Sequence, residues 1–294
     1  SSISNSSLKS DFTYYANPQN TIKMGIEIQS HFSNPGNVHF ADTSIQTGVP
    51  EIARYNTREL DLYFSHEKKI NKKITIHYGI RIPIWENKGE TRVYYFNVNH
   101  QVMDTVNMAL NQVYYKYCSP EPRASIIYSL NNKSSVKLAY ARTSQFVQLI
   151  SNSTSPFTTL EVWIPCGPNI KPQKADQFSI GYFNDVFKTK YQFSAEFFYK
   201  YFMNQIDYKD HANLLFNPLI EGELRFGKTW SYGTELMIRK NEGKLTGWIA
   251  YTFSRVYKET EGINQNKIYP ASYDRPNDIC INVSYRKRTR WSYS

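Results

Sequence analysis

Six histidines (His31, His39, His66, His77, His100 and His211) and three cysteines (Cys118, Cys166 and Cys280) offer the widest chemistry in this chain. Imidazole can ligate a metal or carry a proton, and a thiolate can attack, ligate or form a disulfide. Spacing decides which of these is supported. There is no HxH, HExxH or Cys/His cluster, so the sequence supports no metal site and implies no cofactor. Ser, His and Asp occur without anything like a nucleophile elbow, and no register joins a histidine to an acid and a nucleophile. Enzyme activity is therefore not expected. Cys118 and Cys166 fall in expected long loops, where an oxidising compartment could join them; three unpaired thiols fit equally well. Cys280 falls on the polar side of its strand and reads as structural filler.

The charged residues follow another rule. Glu27, Asp61, His77, Arg81, Glu196, Lys200, Glu235 and Arg239 all lie in segments where polar and apolar residues alternate. A period of two puts them on one face of a strand, where they can line a wet lumen. Arg81, Glu196, Lys200, Glu235 and Arg239 are the candidates for ligand contact. Glu121 with Arg123, and Asp274 with Arg275, stand where loops re-enter strands, and are candidates for structural ion pairs or turn locks. The net charge of +10 raises the question of nucleic acid. The basic residues, among them Lys68, Lys69, Lys72, Lys73, Lys133, Lys188, Lys190, Arg286, Lys287, Arg288 and Arg290, gather at short turns instead of on one helix or groove. No nucleic-acid partner is expected; a basic rim facing lipid phosphates fits better.

The positioning elements are strands. In Leu245–Ser254 the residues Leu245, Ile249, Tyr251 and Phe253 share one parity, and Thr246, Ala250, Thr252 and Ser254 the other; Trp248 breaks the rule. Ile74, Ile76, Tyr78, Ile80, Ile82 and Ile84 alternate with Thr75, His77, Gly79, Arg81, Pro83 and Trp85. Eleven such segments are expected, beginning near Leu8, Ile22, Glu59, Ile74, Ala124, Val136, Gln177, Tyr191, Trp230, Leu245 and Ile279, with a twelfth starting at Arg290-Trp291. The stretch 86–122 is mixed and reads as a large loop holding a short helix or a hairpin. Connections alternate short and long along the whole chain, with long loops ending near Arg54, Pro122, Lys174, Gly222 and Ser272.

Aromatics make up 16% of a chain that is polar on average, as expected when every second residue faces water. No apolar run reaches ~18 residues, so a membrane helix is not expected. The opening SSISNSSLKSDF has neither a basic nor an apolar leader region, so an export signal is expected upstream. Sorted connections and a greasy parity point to an all-β, antiparallel transmembrane β-barrel with about twelve strands present. A soluble β-sandwich, or a secreted β-rich binding or adhesion protein, is the competing reading.

Three segments, IKPQKADQFSIGYF (170–183), SYGTELMIRKNEGKLTGWIAYTFSR (231–255) and YPASYDRPNDICINVSY (269–285), with EPRASIIYSL (121–130), resemble the barrel of TonB-dependent outer-membrane receptors of the Bacteroidetes type. The resemblance implies a barrel of about twenty-two strands filled by a plug. Residues 1–294 would then supply part of that barrel, with the plug and the last strands lying outside this sequence. It further implies a bacterial outer-membrane location and energy-coupled uptake of a scarce nutrient, such as a siderophore, haem, cobalamin, glycan or peptide. The implied partners are outer-membrane lipid, a TonB-type energy transducer reached through N-terminal regions, and in some receptors a surface lipoprotein. A plugless passive channel is the alternative.

Overall fold

Isoleucine at 74, 76, 80, 82 and 84 explains why the chain extends there: β-branched side chains are stiff at χ1 and suit a pleated surface. A computed structural model describes residues 2–34, 54–151, 161–186, 190–213, 217–288 and 291–293. In chain order its strands are β1 (Ser2–Asn17), β2 (Asn20–Asn34), β3 (Tyr55–Lys69), β4 (Ile74–Lys88), β5 (Thr91–Phe96), β6 (Val102–Met108), β7 (Val113–Cys118), β8 (Glu121–Ser129) and β9 (Ser134–Gln145). There follow β10 (Val147–Ser151), β11 (Glu161–Pro165), β12 (Gln173–Val186), β13 (Tyr191–Tyr208), β14 (Leu224–Lys240), β15 (Leu245–Thr260), β16 (Tyr269–Pro270), β17 (Asn277–Arg288) and β18 (Trp291–Tyr293).

Twelve of these pair as one antiparallel wall in the order β1-β2-β3-β4-β8-β9-β12-β13-β14-β15-β17-β18. They correspond one for one to the segments expected from alternation. Most run further than expected, since β13 reaches Tyr208 and β15 reaches Thr260, where loops were expected from Asp207 and Tyr257. Connections at 18–19, 70–73, 130–133, 187–190, 241–244 and 289–290 hold at most four residues, and those at 35–54, 89–120, 146–172, 209–223 and 261–276 hold fifteen or more. Short and long connections therefore lie at opposite rims. Asparagine makes the tight turns: Asn71 Oδ1 accepts from the Lys73 and Ile74 amides, and Asn131 Oδ1 accepts from those of Lys133 and Ser134.

The two faces of the wall follow from the register. One row, Ile76–Ile126–Leu138–Ile180–Phe197–Thr234–Phe253–Asn277, crosses eight strands. Ile126, Leu138, Ile180 and Phe197 are 45–50% exposed despite being large and apolar. The next row, His77–Ser125–Ala139–Ser179–Phe198–Gly233–Ser254, faces the other way and is small or polar save for Phe198. Phe198 fits because Gly233 lies beneath it: a Cβ there would come within 2.8 Å of the ring. An exposed apolar face backed by a polar one is a membrane wall, and only hydrogen-bonded neighbours satisfy its backbone in lipid.

Among the described residues, the outward face is free of Asp, Glu, Lys and Arg between Lys68 and Lys240 at the short-turn ends and Arg58, Glu86, Arg142, Asp176 and Arg255, eight to twelve residues from the short-turn ends of their strands. At ~3.3 Å per residue and a tilt of about 40°, that is roughly 20–30 Å, the thickness of a barrel's apolar band.

Of the alternatives left open for residues 86–122, the hairpin forms and the helix does not: β5 pairs with β6, and β7 pairs with β4. Of those left open for the cysteines, the structure has three free thiols, and Cys118 and Cys166 are not bonded to each other. His39, Lys188, Arg290 and most of the loop ending at Arg54 lie outside the described residues.

Candidate ligand-facing site on the inner wall

The inner face carries its densest chemistry at the long-loop end of β3, β4 and β8. Parity sends Glu59 and Asp61 of β3, Arg81 of β4 and Glu121 of β8 to the same side. Arg81 Nη2 donates to Glu59 Oε1 (2.9 Å) and Asp61 Oδ2 (2.6 Å), and Nη1 donates to Glu121 Oε2 (3.3 Å). Glu121 Oε1 accepts from the Ser144 amide (2.8 Å), and Arg123 Nη2 stands 3.9 Å from Glu121 Oε2. One guanidinium thus meets three carboxylates, two of them almost fully buried. Asp61 Oδ1 has no partner among the described residues. Removing the cation would strand buried charge, which costs ~3–5 kcal/mol in such clusters.

One step nearer the long loops stands an aromatic column. The Trp85 ring stacks on His31 (5.8 Å between centroids) and on Phe146 (5.2 Å, 5° between planes), and Tyr117 meets Phe146 edge-on. Trp85 is fully buried although its parity faces the lumen. Loop segments bury it. The Trp85 indole donates to Asn87 Oδ1, and Asn87 Nδ2 donates to the Cys166 carbonyl (2.8 Å), which pins the segment after β11 to the wall. Burial pushes the Cys166 thiol up and raises the Tyr114 hydroxyl to about 12.

That segment reaches further. Ile164 and Ile170 pack with Ile220 and Leu224, joining the 146–172 connection to the 209–223 connection. Asn169 Nδ2 donates to the Tyr94 carbonyl (2.7 Å) and to Glu221, and Phe96 seats over Gly222, so the β5–β6 hairpin belongs to the same layer. Burial raises the Glu221 carboxyl above its usual range. Between this hairpin and the ends of β2 and β3 opens a recess of about 640 Å³, lined by Phe32, Arg54, Asn56, Arg92, Tyr94 and Asn107 among others.

The other candidates lie elsewhere. Glu196 of β13 and Glu235 of β14 are direct cross-strand partners on the inner face. Lys200 Nζ sits 5.2 Å from the Phe198 ring centroid, and Arg239 is exposed opposite Gln192 and Trp248. None of these joins Arg81, since β13 and β14 lie four and five strands away from β4 along the wall. Asp274 pairs with Arg255 (3.1 Å), not with Arg275, and accepts from the Val256 amide (2.8 Å). The Arg275 carbonyl accepts from the Ser254 hydroxyl (3.2 Å). Glu59 could have been found from parity, since in Arg58-Glu59-Leu60-Asp61-Leu62 both acids share the inward phase. Phe146, Cys166 and Asn169 carry no such signal.

Residues 3–293 match the family model for the TonB dependent receptor-like β-barrel. No curated protein matches the sequence. Among solved structures, the FrpB iron transporter from Neisseria meningitidis is similar at 12% identity and TM-score 0.63, over 97% of this chain and 41% of that one. The ferric-catecholate import receptor Fiu from E. coli K12 is similar at 15% and 0.60, over 98% and 43%. The copper transporter OprC is similar at 11% and 0.62, over 97% and 43%. This chain therefore spans about two fifths of the length of the structures it matches.

Proposed function

The chain belongs to the TonB-dependent receptor β-barrel family of the bacterial outer membrane, and from that premise we propose that it forms part of the wall of an energy-coupled uptake receptor. The nutrient is a scarce solute too large for passive pores, such as a metal chelate, haem, cobalamin, a glycan or a peptide. A TonB-type transducer drives it, acting through regions outside this sequence, and the Bacteroidetes-type resemblance and a surface lipoprotein partner belong to the same reading. Ligand enters at the long-loop rim, first meeting the recess beside Arg54 and Arg92 and then the polar inner wall.

The observation that carries this reading is the layer of packed connections over the inner wall, anchored through Trp85, Asn87 and Cys166. The test is uptake by cells carrying the whole receptor, supplied in turn with ferric chelates, haem, cobalamin and oligosaccharides. Loss of the energy transducer stops uptake of the accepted solute if the reading is right. Uptake that continues at the same rate contradicts it.

A further inference from the structure

Where the lipid-facing belt ends, three ionic groups stand on the outward face among the described residues, and they are not equivalent. Arg142 and Asp176 form a one-to-one pair, with Nε to Oδ1 at 2.8 Å and Nη2 to Oδ2 at 2.9 Å. Arg255 and Asp274 form another. The third is a row across β3, β4 and β7, in which Arg58 and Lys116 flank Glu86. Arg58 Nη2 reaches Glu86 Oε2 at 2.6 Å, and Lys116 Nζ reaches Oε1 at 3.3 Å. Here two cations share one carboxylate. Glu86 is only 12% exposed, whereas Arg58 and Lys116 are 48% and 63% exposed. The carboxylate sits beneath and fixes the spacing of two cations whose free donors face outward. Lys88 follows two residues along the same face of β4. Directly below lies the row Ile28–Leu60–Ile84, and below that Ile26–Leu62–Ile82.

We propose that this patch binds the phosphate of a membrane lipid headgroup, with the acyl chains lying on the isoleucine and leucine rows beneath it. The chemistry selects the ligand. An excess of cation at the edge of an apolar band calls for an anion that carries its own hydrocarbon, and an Arg fork with a neighbouring ammonium suits phosphate oxygens. At the two pairs further round the wall each carboxylate bonds a single guanidinium, and neither is shared between two cations. The site lies on the outside of the wall, away from the solute path, and does not depend on which solute is carried.

The test uses the full chain from outer membranes in a neutral detergent, with lipid retention read by native mass spectrometry. The probes are dimyristoyl phosphatidic acid, dimyristoylglycerol and inorganic phosphate. Phosphatidic acid is expected to be retained well above the other two. The double variant Arg58→Gln, Lys116→Gln is expected to lose retention roughly 10- to 30-fold, from the worth of two basic groups at a charged lipid surface. Glu86→Gln keeps both cations and is expected to raise retention, which separates lost binding from lost folding. Arg142→Gln with Asp176→Asn should leave it unchanged. Equal retention of dimyristoylglycerol, equal binding of inorganic phosphate, or no loss in the double variant would each overturn the site.

Discussion

The inner wall is covered in one sector and bare in another. Around Arg81 and Trp85 the inward residues Glu59, Asp61, Glu121 and Trp85 are buried, Trp85 among residues of β7 and of the connection after β9. Around Glu235, Arg239 and Trp248 the same inward parity stays partly or fully exposed. The strands in both places follow the same alternation. The difference teaches that period two decides which way a side chain points, while loop packing decides what it meets there.

The strongest way to break this contrast is to remove a cation from each sector. Arg81→Met leaves Glu59, Asp61 and Glu121 facing one another in a buried site and should cost ~3–5 kcal/mol in urea unfolding from detergent. Arg239→Met at the exposed position should cost no more than about 1 kcal/mol. Similar losses at both would mean that the covered sector is not dry.

A smaller effect comes from the two inward tryptophans. Trp85→Phe removes the indole donor from buried Asn87 and should cost about 1–3 kcal/mol, together with freer motion of the segment at Cys166. Trp248→Phe, on the bare sector, should stay within about 0.5 kcal/mol.

The covered and bare regions were unequally legible in the sequence, and the reason is range. Strand, face and rim are local properties: Ile180 and Ser179 declare their sides by their neighbours alone, and the Asn71 and Asn131 turns declare themselves in four residues. Burial of Trp85 depends on Phe146, about sixty residues on, and on Cys166 beyond it. No period links those positions. The mixed segment 86–122 left a short helix and a hairpin both open, and the hairpin of β5 and β6 is what forms; β6 is exposed along most of its length, so burial imposes no clean alternation on it. Asp274 was legible as a turn lock candidate, but its partner Arg255 is set by the antiparallel return of the chain and not by adjacency.

Thiol chemistry sharpens the contrast without disturbing the fold. Cys166 is buried and its thiol is pushed up by desolvation, whereas Cys280 on the bare sector is exposed. Maleimide at neutral pH should label Cys280 and leave Cys166 unmodified in the folded protein, read by peptide mass spectrometry. Trp85→Phe should begin to release Cys166. Equal labelling of both in the unmutated protein would break the distinction.

The smallest expected effect is a gain. Glu196 and Glu235 are like charges placed directly opposite, so Glu235→Gln should stabilise the wall by ~0.2–1 kcal/mol at neutral pH, and by less in high salt. A loss of stability would show that the pair holds something between its carboxylates.

The division of faces itself is open to one direct measurement. Spin labels placed singly along β12, from Gln177 to Tyr182, can be tested in bilayers for collision with oxygen, which concentrates in lipid, and with a water-soluble nickel chelate. Labels at 178, 180 and 182 should favour oxygen, and labels at 177, 179 and 181 the nickel chelate, alternating at every step. A flat profile, or one with the phases exchanged, would contradict a wall with lipid on its isoleucine side and water on the other.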